Sequence, residues 1–228
     1  MMHWMLTPYD KHSDDGFGAM AHAFQASAEA LMAAERDSTA QRELPTCFLL
    51  RHAAELYIKS VLIVSHRSLV ITEKSLPTVQ VDGKAKPLTS IHNLGVLYRA
   101  FIDLLSSNRV ELEARAKTAW LPPPPELDKA IAEIDAMDQR GVFFRYPTEN
   151  NSTKSNNKPL PLEEVRSWQT DQQGFLKAFF IVGDNDEVVE AFRYDHNLLQ
   201  AELATLKTAC EWLTCFHVGL RHELAGGW

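Results

Sequence analysis

The feature that most limits the fold is a spacing near the C-terminus. Leu199, Leu203, Leu206, Cys210, Leu213, His217, Leu220 and Leu224 follow one another at alternating intervals of four and three. Such a series lies on one stripe of an α-helix about seven turns long. A helix apolar along its whole length on one side has to lie against other helices, so the fold is expected to be a helical bundle.

The rest of the chain supplies partners for that helix. Over residues 14–36, Met20, Phe24, Ala28, Leu31 and Ala34 repeat the same rhythm and predict an N-terminal helix. A second begins after Pro45, with Thr46 as its N-cap, and carries Leu50, Ala54, Tyr57, Val61 and Val64. A third follows Thr89 and Ser90, either able to cap it, through Ile91, Leu94, Leu97, Tyr98, Phe101, Leu104 and Leu105, with a continuation to about Thr118. The run Pro122 to Pro125 stops it, and the last of these prolines can open a short helix reaching Met137.

Two segments break the helical rhythm. Residues 69–88 are rich in β-branched side chains around Asp82-Gly83 and read as a hairpin. Residues 175–193 read as a second hairpin about Gly183-Asp184-Asn185-Asp186, with a helical alternative for either arm. Residues 142–147 read as extended, and 148–160, rich in Asn, Ser, Thr and Lys, as a flexible surface loop. No repeat of 20 to 50 residues marks a solenoid. The expectation is a mainly α, up-and-down helical bundle with one or two small β-hairpin insertions. It forms one domain over residues 1–228, with its core at about 45–225.

Composition narrows the function classes. Hydrophobic residues make up 45% and charged residues 23% of the chain, enough to build a core. The formal net charge of -7 argues against a broad, non-specific attraction to phosphate backbones. Cys47, Cys210 and Cys215 form no C-x-x-C pair and suggest neither a disulfide scaffold nor a thiolate zinc site. Met1 to Pro8 lacks the pattern of a secretory signal, and no run approaches a membrane span, so a cytoplasmic protein without a membrane partner is expected. Gly-rich phosphate loops, zinc-protease motifs and nucleophile elbows are missing, and no cofactor is implied.

The second helix carries its polar residues in an unusual way. Advanced by ~100° per residue, Arg51, His52, Glu55, Lys59 and His66 fall within an arc of about 100° on an otherwise apolar or small-residue rod. This charged ridge can be a solvated edge of i,i+4 pairs, or it can line a cleft in which Glu55 orients Arg51. The deciding issue is whether Arg51, Glu55 and Lys59 turn inward. His217 is the one strongly polar residue of the C-terminal seam, with Arg221 a turn later. It can be a satisfied core histidine or a general base, with Arg221 or Arg51 stabilising negative charge. His92 is placed in the first turn of the third helix, where the dipole disfavours its charged form. Arg145 and Tyr146 are candidates to reach back to Glu55.

The run Leu50-Arg51-His52-Ala53-Ala54-Glu55-Leu56-Tyr57-Ile58-Lys59, then His92-Asn93-Leu94, then Phe144-Arg145-Tyr146-Pro147, resembles the HEPN superfamily of helical prokaryotic proteins. The resemblance implies a dimeric bundle found in toxin-antitoxin and phage-defence systems, and RNA or a nucleotide as ligand. Many members are metal-independent RNases in which the RNA 2′-hydroxyl attacks the adjacent phosphate. There an arginine, separated by four to six residues from a following histidine, supplies both catalytic groups. This chain has no such pair; its nearest counterpart is the inverted His217-x-x-x-Arg221. The candidate site is therefore Arg51, His52, Glu55, His92 and Arg145, joined by His217 and Arg221 if the last helix packs on the second. The rival expectation is a non-catalytic assembly module whose polar ridge is structural.

Overall fold

The computed structural model describes residues 7–33, 42–70, 75–138, 144, 158–163, 176–195 and 199–227. Their helices are α1 (Phe17–Ala33), α2 (Glu43–Leu69), α3 (Leu94–Ser107), α4 (Arg109–Arg115), α5 (Pro125–Met137) and α6 (Gln200–Ala225). Short 3-10 turns cover Tyr9–Lys11 and Leu88–Ser90. The strands are β1 (Thr78–Val81), β2 (Lys84–Pro87), β3 (Lys158–Leu160), β4 (Leu176–Val182) and β5 (Val188–Asp195). The result is a helical bundle with two small antiparallel sheets, one of two strands and one of three in the order β3-β5-β4.

Helix α2 is the axis of the bundle because almost nothing on it suits water. Its buried residues run from Thr46 to Ser65 on every side, and α1, α3 and α6 all pack against it. Helix α5 closes the bundle against α3 and α6. Phe101 of α3 meets Phe216 of α6 edge-on at 5.5 Å, and Trp120 packs on the same ring at 5.1 Å. Gly219 makes that approach possible, since a Cβ there would overlap the Trp120 ring. Gln25 ties three helices through one oxygen, accepting from Tyr57 at 2.9 Å and Thr214 at 3.0 Å.

Several expected boundaries move, each for a local reason. Helix α2 begins at Glu43, so Pro45 sits inside the first turn, where no hydrogen-bonded N–H is required. Thr46 does not cap it; its hydroxyl donates back to the Arg42 carbonyl at 2.7 Å. Asn93, not Thr89 or Ser90, caps α3, its Oδ1 accepting from the Val96 amide at 2.6 Å. The continuation toward Thr118 breaks at Asn108 and resumes as α4. The first hairpin turns at Asp82 and Gly83, both with positive φ (52° and 72°), the conformation a two-residue connection between twisted strands needs. The second hairpin is β4–β5, without the helical alternative. Lys158–Leu160, expected to be loop, pairs with β5 instead. Of the segment expected to be extended, only Phe144 lies within the described residues, in a turn and buried. The expected loop at 148–157 lies outside them.

Among the described residues no helix is long and apolar enough to cross a membrane.

Candidate functional site

The charged ridge of α2 faces inward. Arg51, Glu55 and Lys59 are 2%, 1% and 3% exposed, so the solvated-edge alternative does not hold. Glu55 is the hub. Its Oε2 accepts from Arg51 Nη1 at 2.5 Å, while its Oε1 accepts from Lys59 Nζ at 2.7 Å and from the ring Nδ1 of His92 at 2.9 Å. Arg51 spends its remaining nitrogens elsewhere: Nε donates to Asp138 Oδ2 at 2.9 Å and Nη2 to the His92 carbonyl. Two cations and two carboxylates balance, which is what permits four charges in a place that water does not reach.

The fold builds this cluster from three elements. The i,i+4 spacing aligns Arg51, Glu55 and Lys59 along α2. Asp138 arrives as the residue capping the C-terminal end of α5, its own amide closing on the Ile134 carbonyl at 2.8 Å. His92 arrives from the connection between the Leu88–Ser90 turn and α3. It precedes the Asn93 cap and so is not in the first helical turn, where the sequence had placed it. Its side chain is 48% exposed, in contrast to the sealed Glu55 that it touches.

The electrostatics keep Glu55 ionised. Burial works to raise its pKa, but the Lys59 ammonium, the Arg51 guanidinium and the His92 contact together outweigh burial and hold it below the ordinary glutamate value. A carboxylate only accepts, so the His92 Nδ1 carries the proton of that contact. Nε2 is then the ring nitrogen that Glu55 does not engage, on a half-exposed side chain. A carboxylate orienting an imidazole in this way fixes the tautomer and supports proton transfer at the other nitrogen.

The other candidates separate from this cluster. His52 lies between aromatic rings, edge-on to Phe24 at 4.5 Å and stacked with Phe48 at 6.1 Å, on the side of α2 that meets α1. Arg145 and Tyr146 lie outside the described residues. His217 belongs to a second polar cluster. Ser60 follows Arg51 by nine residues, ~180° round α2 and ~13 Å along it, and bonds His217 Nδ1 at 2.8 Å. The Ser60 hydroxyl in turn donates to Asp14 Oδ2 at 2.5 Å. Helix α6 does pack on α2, as the added role of His217 required, but on the face opposite the ridge.

That second cluster has a structural chemistry. Asp14 is fully buried and caps α1, Oδ1 accepting from the Gly16 amide at 3.0 Å and Oδ2 from Gly18 at 2.8 Å. The protons run one way, from His217 Nδ1 to Ser60 to the Asp14 carboxylate. Burial pushes the His217 pKa down to about 4, against the pull of Asp14 and helped by Arg221, His22 and His12. His217 is therefore a neutral, satisfied core histidine, and the serine–histidine–aspartate trio is in the wrong order and too enclosed for nucleophilic catalysis. Arg221, half-buried one turn on, contributes its charge to this cluster, not to the ridge.

Sequence reasoning missed Asp138, Asp14 and Ser60. Asp138 is separated from Arg51 by 87 positions and sits just past a helix end, where periodicity carries no information. Asp14 had a usable signal, an acidic residue four positions before Gly18 at a helix start. Among the described residues, no group of three His, Cys, Asp or Glu side chains is placed to hold a metal ion. Compared with known protein families, with curated proteins and with solved structures, the chain matches none of them.

Proposed function

We propose that this chain is a HEPN-like helical protein of a prokaryotic defence or toxin-antitoxin system, acting on RNA or a nucleotide without a metal ion. In this reading His92 is the proton-handling group. The observation that carries it is the contact between the sealed, ionised Glu55 and the half-exposed His92 ring. In RNA cleavage, His92 Nε2 takes the proton of the attacking 2′-hydroxyl, the 2′-oxygen bonds to phosphorus as the P–O5′ bond breaks, and water protonates the leaving 5′-oxygen while Glu55 stabilises the imidazolium. Arg145, next in sequence after the buried Phe144, is the arginine in this reading that meets phosphate charge, because Arg51 is already committed. A cytoplasmic homodimer with a protein partner of the antitoxin kind belongs to the same reading.

The test is cleavage of a mixed-sequence RNA by the purified protein in EDTA. Wild type is expected to leave 2′,3′-cyclic phosphate ends, and His92→Asn to lose cleavage while unfolding at an unchanged denaturant midpoint. Intact RNA at every protein concentration would sink the catalytic reading.

One observation favours the rival, a non-catalytic assembly module. Every guanidinium nitrogen of Arg51 already has an acceptor, and Lys59 is tied to Glu55, so neither ridge cation is free for a phosphate. In that case the ridge fastens α2 to α5 and to the start of α3. His92→Asn then changes no activity.

A further inference from the structure

Helix α1 is held to the bundle differently from its neighbours. Its buried residues are small, Gly18, Ala19, Ala21 and Ala28, while Phe17, Phe24 and Met32 are only partly buried against the core. Small side chains remove little apolar area from water, so packing holds α1 weakly and polar ties count for more. Gln25 Oε1 accepts from Tyr57 of α2 and from Thr214 of α6. Ahead of the helix, Arg67 of α2 donates to the Ser13 carbonyl at 2.8 Å and pairs with Asp15 at 2.7 Å. Asp14, the cap of α1, accepts from Ser60, which is bonded in turn to His217. Of these ties, the one through His217 rests on a group able to change its charge between pH 7 and pH 5.

The surroundings of the ring decide what that charge does. Its Nδ1 proton is already used toward Ser60, so a second proton goes to Nε2. Nε2 lies on the ring edge that faces Gly18, in the space a Cβ there would fill. Protonation thus sets a new N–H and a full charge against the α1 backbone, where the ring is 5% exposed. Arg221 of α6, His22 of α1 and the buried His12 all oppose that charge. The Asp14 carboxylate favours it, at 3.9 Å, but already accepts from Ser60 and two amides. Tyr57 of α2, its ring centroid 5.6 Å from that of His217, brings no charge at these pH values. Lifting α1 away lets water reach the imidazolium and removes the conflict.

We propose that residues 7–33 form a detachable strap, latched to α2 and α6 through Asp14, Ser60 and His217, and released by protonation of His217 while the other helices stay assembled. The release bares the face of α2 that carries Tyr57 and Ser60, and it is independent of His92 on the opposite face. The test is hydrogen exchange of the full chain at pH 7 and pH 5, read by mass spectrometry and corrected for the intrinsic exchange rate at each pH. At pH 5 the α1 amides are expected to open at least about tenfold more often than those in the middle of α2, as a separate cooperative unit. Their opening constant is expected to rise at least about tenfold from pH 7 to pH 5, because the released ring takes up a proton that the latched ring refuses. His217→Gln, neutral at both pH values, is expected to abolish that rise, and His22→Gln, at an exposed position, to keep most of it. Equal opening of α1 and α2 at pH 5, or no rise between the two pH values, overturns the proposal from wild type alone, whether or not a variant folds. A rise that persists in a folded His217→Gln chain overturns it as well.

Discussion

Helix α2 carries two buried polar clusters on opposite faces, and they solve the same problem in different ways. On the ridge, Arg51, Glu55, Lys59 and Asp138 bury four full charges that cancel, and one neighbour, His92, reaches water. On the other face, Ser60 joins Asp14 to a neutral His217 through a single carboxylate, and nothing in the chain of hydrogen bonds is exposed. The ridge is expensive to break because removing any charge strands another. The second cluster is expensive to protonate because it has room for one charge only. Proximity of polar groups alone would have ranked the two alike; the exit to solvent at His92 is what separates a candidate site from a fastening.

The largest expected effect strikes the ridge. Glu55→Ala leaves Arg51 and Lys59 buried with Asp138 alone, and should cost about 3–5 kcal/mol in urea unfolding. A loss under about 1 kcal/mol would mean that the ridge opens to water in solution. Next comes Gly18→Ala, whose Cβ would overlap the His217 ring. It should cost up to about 3 kcal/mol by pushing α1 off α6, and His217→Ala should relieve part of that cost.

The clusters also differ in their response to acid. His217 stays neutral in the fold to about pH 4, whereas the unfolded chain takes up that proton near pH 6.5. The unfolded state therefore binds more protons between those values, and stability falls as pH falls. The expected loss is about 2 kcal/mol between pH 7 and pH 5, and a flat profile in that window would contradict it. Glu55, with its pKa lowered, adds stability that is present above about pH 4.5 and is lost only on further acidification. His217→Gln should flatten the upper window and leave the lower one. The smallest effect belongs to His92→Asn, which removes a half-exposed ring and should change stability by less than about 1 kcal/mol.

The helices were legible because burial writes itself into spacing. The C-terminal seam, predicted from Leu199 to Leu224, is α6 within one residue at each end, and Pro125–Met137 is α5. Starts were harder, since Pro45 is tolerated inside a first turn and the cap of α3 is Asn93, not Thr89 or Ser90, the two caps the sequence suggested. For the site, the arc of Arg51, Glu55 and Lys59 could be drawn from sequence, but whether it met water depended on what packs outside α2. His217 stayed open for the same reason: a lone imidazole in a seam can be structural or functional until Ser60 is found across from it.

His92 is held twice, by Arg51 at its carbonyl and by Glu55 at its ring. The peptide is thus bolted down independently of the imidazole, which is left as a swivel on a rigid mount. A molecule arriving from outside can claim the ring at the expense of one rotamer change, a nanosecond matter, while the start of α3 stays in place. Recruiting Arg51 or Lys59 in the same manner would require the central rod of the bundle itself to shift.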